Sequence, residues 1–172
     1  MKTNLTLILA LIFWTTMFGQ KTYDQIEQFN IYKEGWALVA RDGKFGFIDT
    51  NGREVVKPSY DEIELFNLYR MGWARVRLNG KTGFIDSNGN EVVKPIYNEV
   101  ELFNIYRQGW ALVQVKDKFG FIDNEGKEVV APKYDEIELF DINRQGWAQV
   151  KLKGKYFFID KSGQEIASEA KH

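Results

Sequence analysis

The side chains best suited to chemistry are carboxylates in tight clusters: Asp61, Glu62 and Glu64, and again Asp135, Glu136 and Glu138. Two carboxyl groups flanking a scissile bond can divide acid and base work between them, as in glycoside hydrolysis. That chemistry needs one asymmetric pair, whereas these clusters return at the same place in successive stretches of the chain. We read them as a solvated strand edge. A second grouping, Asp49-x-Asn51-Gly52-x-Glu54, offers oxygen donors of the kind that hold calcium. An EF-hand loop needs Gly at its sixth position and a bidentate Glu at its twelfth, and neither spacing is met. Asp and Asn ahead of a glycine more commonly fix a turn by accepting its backbone amides. That role is expected of Asp49, Asp86, Asp123 and Asp160, which recur in register.

Among aromatic residues, Trp36, Trp73, Trp110 and Trp147 could stack on sugar rings. Each follows a glycine at a fixed place, where a large ring would instead seal one stretch of chain against the next. Tyr32, Tyr69 and Tyr106 are better candidates for surface recognition, because the fourth stretch tolerates Asn143 there. A nucleophile is missing: the chain has no Cys, its single histidine is His172, and no Ser stands in a G-x-S-x-G context. No Gly-rich phosphate loop precedes a helix. We therefore expect no enzyme, no cofactor and no metal.

What positions these residues is a period. Gly-Trp falls at 35/36, 72/73, 109/110 and 146/147, a step of 37 residues each time, and Phe-Ile-Asp keeps the same step. A fixed period of this size marks a repeat architecture. The copies run 23–59, 60–96, 97–133 and 134–170. Within the first, Trp36 to Ala40 reads as a strand, with Ala37 and Val39 on one face and positions 38 and 40 on the other. Asp42-Gly43 is a tight hairpin turn, matched by Asn79-Gly80 and Lys153-Gly154. Phe45 to Asp49 returns as the partner strand, Asn51-Gly52 turns the chain again, and Glu54 to Val56 is a third strand that Pro58 ends. Tyr60 to Phe66 is extended, and 67–71 is a loop or helical turn. No copy carries a long helical pattern, so the fold is all-β.

Four β-meander units of this length can stack as an open, solenoid-like array or close into a four-bladed propeller. Closure gives every copy the same neighbours, while an open array has atypical ends. Leu65, Leu102 and Leu139 share a site at which the first copy has Gln28; Gly46, Gly83 and Gly120 share one at which the last copy has Phe157. We expect an open array, with Gln28 near its N-terminal end and Phe157 covering its C-terminal end.

Residues 1–20 are of another kind: Lys2, an apolar run from Leu5 to Trp14 broken by Thr6, then a small and polar stretch to Gln20. A secretory signal peptide has this layout, and the run is short of the ~20 residues a membrane-spanning helix needs. Residues 21–172 are then the mature repeat domain, secreted or periplasmic. Losing Lys2 leaves it 22 basic against 24 acidic residues, interspersed. That balance argues against a nucleic-acid partner or an anionic membrane surface. Without cysteine there is no disulfide or lipid anchor at a thiol.

The Gly-Trp-Ala, Gly-Lys-x-Gly-Phe-Ile-Asp, Gly-x-Glu-Val-Val and Pro-x-Tyr-Asp-Glu-Ile elements, over residues 23–170, resemble the WG-repeat family of bacterial proteins. The resemblance implies a β-rich tandem array, often exported, with no established enzymatic role and no catalytic residues to carry over. Phe157 departs from the pattern, standing where the family element has Gly. Together these readings point to an exported, monomeric, non-catalytic interaction or scaffold module whose partner is a protein or an envelope polysaccharide. The rival is a carbohydrate-binding module using the Tyr and Trp positions in register.

Overall fold

The computed structural model describes residues 22–166. The predicted signal peptide lies outside the described residues. Among those residues every regular element is a strand, and the sixteen strands form four antiparallel meanders in chain order. The first sheet is β1 (Gln25–Ile26), β2 (Trp36–Arg41), β3 (Lys44–Asp49) and β4 (Glu54–Tyr60). The second is β5 (Glu62–Phe66), β6 (Trp73–Leu78), β7 (Lys81–Asp86) and β8 (Glu91–Tyr97). In the third, β9 (Glu99–Val100), β10 (Trp110–Val115), β11 (Lys118–Asp123) and β12 (Glu128–Tyr134) follow the same path. The fourth holds β13 (Glu136–Ile137), β14 (Trp147–Leu152), β15 (Lys155–Asp160) and β16 (Glu165–Ile166).

Turn chemistry sets the register. Asp42 and Gly43 take φ of 53° and 70°, as do Asn79 and Gly80 at 52° and 70°. Two left-handed residues in succession twist a hairpin the way its strands twist. β2 and β3 then pair without a break from Arg41↔Lys44 to Trp36↔Asp49. At the next turn the Asp49 carboxylate accepts the amides of Asn51 and Arg53, both at 2.9 Å. Asp86, Asp123 and Asp160 repeat this.

Pro58 does not end its strand. β4 continues through it to Tyr60, because the register jumps from Phe47↔Val56 to Phe45↔Tyr60 and leaves 57–59 in a bulge. A bulged residue makes no ladder bond, so the missing N–H of proline is not needed there. The bulge also explains the glycines differently from the sequence expectation. A Cβ at Gly46, Gly83 or Gly120 would stand 2.4, 2.4 or 2.3 Å from the carbonyl oxygen of Val56, Val93 or Val130. Each glycine makes room for the bulge of its own sheet, not for a following copy.

The sheets stack face to face in sequence order. Trp36, Leu38, Phe47, Val56 and Tyr60 of the first sheet share a core with Ile63, Phe66, Ala74, Val76 and Ile85 of the second. Trp73, Phe84, Val93 and Tyr97 meet Val100, Phe103, Ala111, Val113 and Ile122 in the same way. Trp110, Leu112, Phe121, Val130 and Tyr134 meet Phe140, Ala148, Val150 and Ile159. Alternation along each strand thus sends one face forward and the other back. The backward face of the first sheet, Ala37, Val39 and Ile48, forms a separate cluster with Tyr23 and Phe29 among the described residues. Among the described residues no strand of the first sheet pairs with the fourth, and no hydrophobic cluster joins them. The array is open.

Both landmarks chosen for its ends need correction. Phe157 pairs with Val150 and packs into the core between the third and fourth sheets. It points backward, parallel to Ile159, and so does not cover the C-terminal end. Gln28 is exposed near the N-terminal end, but Leu65, Leu102 and Leu139 at the matching sites are exposed too, so that glutamine signals no loss of a neighbour.

Candidate interaction surface

Between the first and second strand of each sheet runs a loop that closes on itself. Asn30, at φ 71°, donates its amide to the Trp36 carbonyl at 2.9 Å. Its side-chain oxygen accepts the Gly35 amide at 2.7 Å, and the Trp36 amide reaches the Lys33 carbonyl at 3.1 Å. Asn67 and Asn104 build the same loop, and Asp141 does so in the fourth copy. Asparagine and aspartate suit the site because they tolerate the left-handed conformation and bond locally. Lys33, Arg70, Arg107 and Arg144 fold back over the rings of Trp36, Trp73, Trp110 and Trp147 at 3.9–4.4 Å, a cation–π contact in each copy.

A loop tied down this way leaves its aliphatic side chain in solvent. Ile31, Leu68, Ile105 and Ile142 are 54%, 53%, 55% and 66% exposed. Leu65, Leu102 and Leu139 beside them are also exposed, as is Met71 in the second loop. The result is an aliphatic pair at the same place in three copies and a single isoleucine in the first. Exposed aliphatics scattered singly are ordinary on a protein surface; these recur at the same place in successive copies.

Tyr32, Tyr69 and Tyr106 stand in these loops but are half-buried. Their rings lie edge-on to Phe47, Phe84 and Phe121 at 5.6, 5.7 and 5.7 Å. Burial raises the pKa of all three hydroxyls. Arg75 covers the Tyr69 ring at 4.6 Å while pairing with Glu64. The tyrosines seal the rim of the core, and the aliphatic residues next to them present more surface. The signal was in the sequence: an aliphatic residue follows the loop Asn or Asp in every copy.

Trp36, Trp73 and Trp110 sit between sheets, each with its ring perpendicular to a Phe of the next copy at 5.7–5.9 Å. Trp147 is half-exposed at the end of the stack.

The carboxylates are occupied structurally. Asp61 accepts the Asn79 amide at 2.6 Å and pairs with Lys44 of the preceding sheet. Lys44 first, then that amide, holds the Asp61 carboxyl below its ordinary pKa. Asp135 holds the Lys153 amide and Lys118 in the same manner, and Asn98 does it without charge for Lys116 and Lys81. Glu62 lies 3.6 Å from Arg77, and Glu136 2.7 Å from Lys151. Asp61 and Asp135 are thus clamps that tie a hairpin to the preceding sheet, while Glu62, Glu136 and Glu138 are exposed, as a solvated edge would have them. Among the described residues no three His, Cys, Asp or Glu side chains converge to hold a metal ion.

Each match to the pattern of the WG containing repeat, over residues 45–81, 83–119 and 119–156, starts in or beside the third strand of one sheet and ends at the second hairpin strand of the next. A matched unit therefore spans the interface between two sheets rather than one sheet. No curated protein matches the chain. With three tandem matches covering well over half its length, the chain belongs to the WG containing repeat family.

Proposed function

We propose that this chain is an exported, non-catalytic interaction module that binds a macromolecular partner along the row of loops. The observation that carries the reading is the recurrence of Ile31, Leu68, Ile105 and Ile142 as exposed aliphatics on self-closed loops. A stacked repeat array sets such loops at a regular interval and offers a long, rigid surface. Rigid loops lose little entropy on binding, which favours affinity from modest contacts. The carboxylates that sequence inspection offered for catalysis are engaged in hairpin clamps and ion pairs, which supports a scaffold over an enzyme. Residues 1–20, with their short cationic start and apolar run, support export.

The test is affinity capture from the envelope fraction of the producing cell with wild-type protein and with a Leu68→Asp/Ile105→Asp variant. Both sites are exposed, so folding should be unchanged by circular dichroism. A partner protein recovered by wild type and lost with the variant is the expected result. Equal capture by both, or glycan binding that needs Tyr69 and not Leu68, would overturn it in favour of another surface or a carbohydrate ligand.

A further inference from the structure

Among the described residues the stack presents two unlike end faces, each the half of an interface built three times within it. Its forward end is the fourth sheet. Trp147 and Phe158 are half-exposed there, while Phe47, Phe84 and Phe121 at the matching place are fully buried under the next sheet. Tyr156 is 52% exposed. In the preceding sheets its counterparts Phe45, Thr82 and Phe119 pair with Tyr60, Tyr97 and Tyr134, but among the described residues Tyr156 pairs only with Lys151. Lys155 is exposed, whereas Lys44, Lys81 and Lys118 each reach an Asp or Asn of the following sheet.

The backward end carries the matching groups. Tyr23-Asp24 stands one period before Tyr60-Asp61. Asp24 accepts the Asp42 amide at 2.7 Å through one oxygen, as Asp61 does for Asn79, and among the described residues no lysine meets the other. Phe29 is half-exposed and, among the described residues, has no ring partner, whereas Phe66, Phe103 and Phe140 each meet a tryptophan of the previous sheet. Ile26 is 44% exposed, against 6% for Ile63. Tyr23 already lies on Ala37, Val39 and Ile48. It bonds Glu54 at 3.1 Å just as Tyr60 bonds Glu91. It stands where the last strand of a preceding sheet would put its tyrosine.

The geometry points to a second copy of this chain as the occupant of each end, joined head to tail. Phe29 of one copy meets Trp147 and Phe158 of the other, Tyr23 pairs alongside Tyr156, and Asp24 receives Lys155. The contact is heterologous and does not use up its own surfaces, so it propagates. Joining separate chains loses translational and rotational freedom that the covalent repeats do not lose. Association is accordingly weak and dependent on concentration. The loop row is not consumed; copies in line would lengthen it.

Sedimentation of the full chain from about 1 μM to about 1 mM reads this directly. The expected result is an average mass that rises continuously above that of one chain. Ile26→Asp blocks the backward end and Tyr156→Asp the forward end; both sites are exposed, so both variants should fold. Each alone should stay at the monomer mass, and an equimolar mixture should form a species of twice that mass and nothing larger. A wild-type mass that stays at one chain would overturn the inference. So would growth that stops at a dimer, association indifferent to either variant, or a mixture that fails to dimerise.

Discussion

Replacing Trp110 by alanine should loosen the stack between the third and fourth sheets, and replacing Trp147 should not. Trp110 is 5% exposed and its ring meets Phe121 at 5.3 Å and Phe140 at 5.7 Å, with Arg107 over its face at 4.3 Å. Truncating a buried aromatic residue costs about 3–5 kcal/mol through lost transfer energy and the cavity left behind. Two of its partners, Phe121 in the third copy and Phe140 in the fourth, belong to different copies, so the loss falls on the contact between repeats. Stability of such arrays is approximately a sum of repeat terms and nearest-neighbour terms. The fourth sheet should therefore unfold ahead of the others in Trp110→Ala. Among the described residues Trp147 has one ring partner, Phe158 of its own sheet at 6.0 Å, and Arg144 over it at 3.9 Å. Its truncation should cost about 1 kcal/mol. Urea unfolding followed by far-ultraviolet circular dichroism at low protein concentration gives both values, and hydrogen exchange at β14 and β15 locates the early transition. Equal costs for the two variants, or unchanged exchange in the fourth sheet of Trp110→Ala, would refute the assignment of forward faces.

Three further outcomes follow from single contacts. Gly83→Ala should destabilise the protein by about 1–3 kcal/mol in thermal unfolding, because the new Cβ meets backbone at 2.4 Å (the Val93 carbonyl) and 2.6 Å (the Pro95 nitrogen); an unchanged melting temperature would contradict the bulge. Thr82→Val should stabilise by about 1 kcal/mol, since the Thr82 hydroxyl is fully buried and, among the described residues, has no hydrogen-bond partner; a loss of stability would show that the hydroxyl is satisfied. Burial, then the Glu91 carboxylate that accepts its proton, pushes the Tyr60 hydroxyl up to about 12. An unfolded phenol titrates near 10, so this stabilisation is whole below that pH and is lost as pH rises through about 12. Alkaline difference absorbance should show a late-titrating tyrosine that disappears in Tyr60→Phe; no change in the late phase would count against it.

The clamp at Asp61 and the bulge at Gly83 show where reading along the chain stops. The period of 37 residues, the hairpin at Asp42-Gly43, the turn held by Asp49 and the alternation of Ala37 and Val39 with Leu38 were all legible. Each depends on residues adjacent in sequence: a left-handed φ, a side chain bonding an amide two residues on, a period of two. The burial of tryptophan beside a recurring glycine followed from ring size and repetition.

Other features join residues far apart. Asp61 reaches Asn79, eighteen positions on, so nothing near it separates a clamp from a solvated edge. Gly83 needs its missing side chain because Val93 to Pro95 bows over it, and a wide bulge carries no signature beyond a proline that also reads as a strand end. The direction in which Phe157 points follows from its pairing with Val150. The exposure of Leu68 follows from Asn67 closing the loop beneath it. The sequence by itself determined the unit, its strands and its turns, because local backbone preferences are written in neighbouring residues. Which face meets which neighbour, and which apolar side chains are left in water at the loops and at the ends, only the tertiary structure decided, because burial is a property of what the rest of the chain brings alongside.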